Sequence, residues 1–180
     1  MTEHGVLPQS FYARRPDAVA LELLGKMLVR VLGGVTMRGV ITETEAYFGP
    51  EDPASRARHR RGRLTEAMKG PAGYTLVYGI HRQWLLNVVA HAEGEAGAVL
   101  IRSIKTEFGE VRGPGRVTRY MMIDKSMHQQ PVFSPSSPLQ VQTYKVLPDD
   151  CVERKKRIGV SRDLDTPLNF SVKKDCKAML

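Results

Sequence analysis

Residues 41–55 read ITETEAYFGPEDPAS, with two carboxylates and a phenol at alternate positions. In a strand, alternate residues share a face, so Ile41, Glu43, Glu45 and Tyr47 are expected to point one way and Thr42, Thr44 and Ala46 the other. Such a face makes a poor apolar core. An unpaired carboxylate resists burial and escapes through a raised pKa or a cationic partner. The face is therefore solvated, paired with arginine, or a site. Read as a site, it offers Glu45 near a strand end, where a carboxylate can hold a water and take its proton. Tyr47 can stack on a planar substrate. Arg102, which closes the apolar run AVLIR, can orient a phosphate or that water, and an internal salt bridge explains it equally well.

The elements that must position these groups follow from periodicity. PDAVALELLGK predicts a short helix, with Ala18, Ala20, Leu21 and Leu24 as its apolar face and Gly25 as its stop. KMLVRVL and VTMRGVITETEAY predict two strands joined across Gly33-Gly34. YTLVYG and WLLNVVAHA predict a second pair, and GAVLIRSIK a further strand. GPGRVTRYMMID is expected to turn into a helix at Pro114, and VFSPSSPLQVQTY reads as a Pro/Ser loop leading to a strand. No internal repeat or linker divides the chain. The expected fold is α+β: one domain over residues 1–180, with a mixed, mainly antiparallel curved sheet and short flanking helices.

The bulk numbers agree with one globular unit. The 180 residues are 42% hydrophobic and 26% charged, and no apolar run reaches the roughly 20 residues of a membrane helix. The first twenty residues lack the apolar stretch of a signal peptide, so the expected location is cytoplasmic, at the nucleoid if the source is prokaryotic. Cys151 and Cys176 form no CxxC or CxH pattern, which argues against zinc; in a reducing compartment they are expected as two free thiols. The net charge of +8 is clustered, in RARHRRGR (56–63), at Arg112, Arg116, Arg119 and Lys125, and in RKKR (154–157). Clustered positive charge suits a phosphate backbone, an acidic surface, or simply a solvated face.

Taken in order, LELLGKMLVR, ITETEAYFGPEDPAS, GPAG with VYG, LNVV, AVLIRSI, GPGRVTR and RIGV resemble the alkyladenine (3-methyladenine) DNA glycosylase family, over about residues 10–170. The resemblance implies a base-excision repair enzyme that flips a damaged purine from duplex DNA and hydrolyses its bond to the sugar, because that bond cannot be reached inside the stack. It implies that Glu45 is the general base and that Tyr47 stacks on the flipped base. Asn87, which would help exclude guanine, and Arg102 would line the site with Ile80 and His81. Tyr78 would fill the hole in the helix, and Arg58, Arg60, Arg61, Arg63 and Arg116 would meet the DNA. No metal and no cofactor are implied, and no amine is offered, so strand cleavage is not expected. The partner would be double-stranded DNA containing a damaged purine, with no membrane, and the protein a monomer.

The chain departs from that family in the base pocket. Arg56 stands where the family usually has a histidine that contacts the base, and a guanidinium does not replace an imidazole. Thr75 stands where a second tyrosine is usual, Ile80 where methionine is common, and Asn169 where an arginine is typical; His81-Arg82-Gln83 lengthens the approach to WLLNVV. Two other readings stand beside the glycosylase: a catalytically weak or inactive binder of damaged DNA, and a carbohydrate hydrolase using Glu43 and Glu45.

Overall fold

The computed structural model describes residues 4–59 and 61–180. Helices α1 (Gln9–Tyr12) and α2 (Pro16–Leu23) precede strands β1 (Met27–Leu32) and β2 (Val35–Tyr47). Helix α3 (Arg63–Met68) leads into β3 (Thr75–Ile80), β4 (Gln83–Val89), β5 (Ala98–Thr106) and β6 (Gly109–Arg112). Helix α4 (Pro114–Tyr120) is followed by β7 (Leu139–Gln142), β8 (Val152–Lys155) and β9 (Asn169–Val172). The strands form one curled, nine-stranded antiparallel sheet in the order β3-β4-β5-β2-β1-β7, with β6 on β5, β9 on β2 and β8 on β9. The α+β expectation holds. No helix among the described residues is long and apolar enough to cross a membrane.

β2 is the spine of the sheet. Its first half pairs with β1 and its second half with β9, while β5 lies along its other edge. Helix α2 covers the opposite face of its second half, where the Thr44 hydroxyl donates to the Ala20 carbonyl at 2.8 Å. The buried stripe of α2 is Val19, Ala20 and Leu23, with Leu24 just after it; of the expected face, Ala20 and Leu24 are buried, while Ala18 and Leu21 are only partly buried. Gly25 ends the segment at φ 81°, and its N–H donates to the Ile41 carbonyl at 2.9 Å. Helix α4 lies on β4. The Thr118 hydroxyl donates to the Trp84 carbonyl at 2.8 Å, and Gln83 lies so close over Gly115 that a Cβ there would sit 1.7 Å from its Oε1.

The simple alternation expected for residues 41–47 is broken by two bulges. The register runs Ile41↔Ile104, Glu43↔Ser103 and Thr44↔Ile101, which leaves Thr42 unmatched on β2 and Arg102 unmatched on β5. Ile41 therefore joins the core with Ala46, and only Glu43, Glu45 and Tyr47 keep to the other face. The same irregularity swings Arg102 out of the ladder toward the carboxylates.

One expectation is corrected outright. Cys151 and Cys176 are not free: they form a disulfide, with Cα atoms 5.7 Å apart. The argument for free thiols rested on compartment and sequence spacing, and neither reports that the turn Asp149–Cys151 packs against the C-terminal turn Lys174–Met179.

His128 couples the fold to pH. Its Nδ1 accepts the Val77 N–H at 3.1 Å on the β3 edge, so that nitrogen must be unprotonated. Burial first, and then the charge of Arg63, lower its pKa from 6.5. A histidine lowered in the folded state contributes fully above the unfolded value, and the contribution fades as pH falls below it, because the unfolded chain then takes the proton more readily. The urea midpoint is expected to decline as pH falls from neutrality toward 5. The decline should be smaller in His128→Asn, whose Oδ1 accepts the same N–H without titrating; equal pH slopes would contradict the assignment.

Candidate active site

The second half of β2 faces a cavity of about 960 Å³, within the range of ligand pockets, about 300–1,000 Å³. Its wall is built from Tyr47, from the turn Pro53–His59, from the β3–β4 hairpin, from Arg102 on β5, and from segment 158–162. Tyr47, Leu76, Tyr78, Leu85 and Leu100 supply its apolar surface.

Glu45 lies directly beneath this surface and is fully buried. Its Oε1 accepts the Ile158 N–H at 2.8 Å and the Asn169 amide at 3.1 Å, and its Oε2 accepts the Tyr47 hydroxyl at 2.7 Å. Asn169 is shared, because its Nδ2 also donates to Glu43 Oε1 at 2.9 Å. The Ser103 hydroxyl donates to the other Glu43 oxygen at 2.8 Å. Arg102 Nε stands 3.5 Å from both carboxylates, an ion pair without a formed hydrogen bond. Glu45 is thus held rigidly through Oε1, while Oε2 takes a single hydrogen bond and keeps capacity for a second. Burial first, and then the Glu45 charge and hydrogen bond, hold the Tyr47 phenol well above its usual range, so it remains a donor.

The piece that sequence reasoning missed is Arg157. Read in RKKR as one of a basic cluster, it is the member that turns inward and is buried. Its guanidinium makes paired bonds to Asp52 at 2.6 and 2.7 Å, bonds to Asp163 at 2.9 and 2.6 Å, and a bond to the Ala46 carbonyl at 3.0 Å. It also covers the Tyr47 ring, 4.6 Å from its centroid. Burial alone would raise the Asp52 pKa, but Arg157 and the N–H groups of Phe48 and Ala54 bring it below the ordinary carboxylate range. The available signal was the next residue, since Arg157 opens the RIGV block that places the Ile158 N–H on Glu45.

The other expected residues fall into three groups. Asn87 is buried in the cavity wall, with its Nδ2 donating to the Leu76 carbonyl at 3.1 Å, which leaves its carbonyl oxygen for the cavity. Ile80 and His81 line the cavity from the β3–β4 tip, where His81 and Arg82 both adopt positive φ, 47° and 61°, as a two-residue hairpin requires. Tyr78 is half-buried, and Arg56 lies over its ring at 5.2 Å. Arg58 lines the rim; Arg61 and Arg63 near α3 and Arg116 on α4 are exposed and lie outside the cavity wall. Arg60 lies outside the described residues.

Breaking one half of the Arg157–Asp52 pair leaves an uncompensated buried charge, a loss of about 3–5 kcal/mol. Arg157→Met is expected to destabilise the fold by that order in urea unfolding, and adding Asp52→Asn should recover a measurable part. A double-mutant cycle with no coupling between the two positions would refute the pairing.

Residues 10–176 match the sequence profile of methylpurine-DNA glycosylase. A protein of Aeropyrum pernix, described as "Putative 3-methyladenine DNA glycosylase", is 50% identical over 173 residues, covering 93% of this chain and 89% of its own. Proteins of the same description from Gloeobacter violaceus and Myxococcus xanthus are 32% and 39% identical; the matches cover 91% and 86% of this chain, and 81% of each relative. With the profile spanning nearly the whole chain and these relatives matched along most of their length, the protein belongs to the methylpurine-DNA glycosylase family.

Proposed function

We propose that this protein is a monofunctional DNA glycosylase that removes alkylated or deaminated purines from duplex DNA, acting as a monomer and without a cofactor. The observation that carries the reading is Glu45, fixed through Oε1 beneath a cavity with aromatic walls, with acceptor capacity left on Oε2. In this reading a damaged nucleotide turns into the cavity and its base lies against Tyr47. Glu45 holds a water through Oε2, and Arg102 orients it. The water oxygen bonds to the anomeric carbon as the bond to the base nitrogen breaks. The water's proton passes to Glu45, and the bonding electrons leave with the base. The sugar carries positive charge in the transition state, and the Glu45 carboxylate stabilises it. No lysine is among the described residues that line the cavity, which fits water rather than an amine as the nucleophile. Tyr78 would occupy the space vacated by the base, and Arg58, Arg61, Arg63 and Arg116 would meet the phosphates around it.

Single-turnover assays on duplexes carrying hypoxanthine or a methylated purine are expected to show base release by the wild type. Glu45→Gln should slow release by about 10²–10⁴-fold, the usual contribution of a general base, and leave DNA binding intact. Arg116→Ala should weaken binding to all duplexes alike and reduce the slope of log affinity against log salt by about one. An unchanged slope would remove Arg116 from the interface.

One observation favours a second reading, a binder of damaged DNA with little or no catalysis. Glu45 exposes no surface, so water reaches it only if the wall formed by Tyr47, Arg102 and Ile158 opens slightly. That reading requires lesion-selective binding with no product at any enzyme excess, and release above the Glu45→Gln background excludes it.

A further inference from the structure

The site is polarised by depth. Beneath the cavity stand the carboxylates of Glu43 and Glu45, with Arg102 as their cationic partner. The wall carries the opposite charge: Arg56, Arg58 and Arg162 line the cavity, none of them in an ion pair with a described carboxylate, and no aspartate or glutamate lines the cavity among the described residues. Both tyrosine rings of the cavity already bear a guanidinium, Arg157 on Tyr47 at 4.6 Å and Arg56 on Tyr78 at 5.2 Å. One face of each ring is therefore already engaged by a cation, and a second cation on the other face would meet the charge of the first.

We infer that Arg56 sets substrate choice by charge, selecting purine lesions whose base is neutral, such as a 6-oxopurine, over bases with a fixed positive charge from ring alkylation. The inference rests on the glycosylase reading above. A neutral base departs with the bonding electrons and carries negative charge in the transition state, which a permanently charged guanidinium in the cavity wall stabilises. A cationic base departs neutral. Arg56 then offers its transition state nothing, and opposes its entry into the cavity.

These two cases separate in kinetics. Duplexes with hypoxanthine or 7-methylguanine are to be compared under single turnover with wild type, Arg56→Gln and Arg56→Lys, after thermal melting shows that each variant is folded. For hypoxanthine, Arg56→Gln is expected to lower the second-order rate constant by about tenfold or more. For 7-methylguanine it should lower the half-saturating enzyme concentration and leave the second-order constant within about threefold. Arg56→Lys, which keeps the charge, should retain most of the wild-type preference. If Arg56→Gln changes both lesions by the same factor, or if Arg56→Lys behaves like Arg56→Gln, the charge argument is overturned while the glycosylase reading stands. If the wild type releases neither base, the glycosylase reading fails and carries this inference down with it.

Discussion

The buried guanidinium of Arg157 is the interaction on which the site depends. Its five N–H groups make five hydrogen bonds, to Asp52, Asp163 and the Ala46 carbonyl. Three separate stretches of chain are thereby tied at one point: the end of β2, the loop after it, and the segment between β8 and β9. Taking such a charge out of water is costly, and only a geometry in which every donor is matched offsets the cost. A lysine, with one ammonium and three donors, cannot span these partners. The benefit appears one residue later, where the Ile158 N–H meets Glu45, and in the Tyr47 ring, which the same guanidinium covers.

The sheet contributes a second constraint. A regular ladder between β2 and β5 would leave Arg102 at a position set by the pleat alone. Two offset bulges, one on each strand, move it without shifting the pairing of residues 44–47. Asn169 then completes the enclosure from β9, bonding both carboxylates with one amide nitrogen. A neutral amide does here what an arginine would do with an added charge, so Arg102 remains the single cation paired with Glu43 and Glu45 among the described residues.

Much of this was readable from the chain, for definite reasons. The first hairpin followed from Gly33-Gly34 between apolar strands, and the turn of α4 from Gly-Pro at its start; both are local signals of backbone geometry. Glu45 stood out because carboxylates at alternate positions conflict with a core. Arg157 did not stand out, because three other basic residues precede it and nothing local tells a solvated arginine from a buried one; its partners are 105 and 6 residues away. The buried side of α2 was only half legible for a related reason: Ala20 and Leu24 are core as expected, but Val19 and Leu23 were missed, since in eight residues the apolar stripe is too short to fix rotation. Strands β8 and β9, four residues each, exist by virtue of their partners, and the disulfide likewise depends on two turns meeting in space.

The contact between Gln83 and Gly115 has a mechanical consequence. Gln83 begins the return strand of the β3–β4 hairpin, and it rests on α4 where no side chain larger than hydrogen fits. The Thr118 bond to Trp84 fastens the same two pieces one residue further along. Hairpin and helix are therefore locked against each other at two adjacent points. A load placed on the hairpin tip is borne by the helix backbone rather than dissipated by bending, and the helix transmits it into the core through the buried Val117 and Met121. Tyr78 on the hairpin and Arg116 on the helix are thus held in one relation, like two teeth of one gauge, and under the proposed function a bound duplex would have to conform to that spacing.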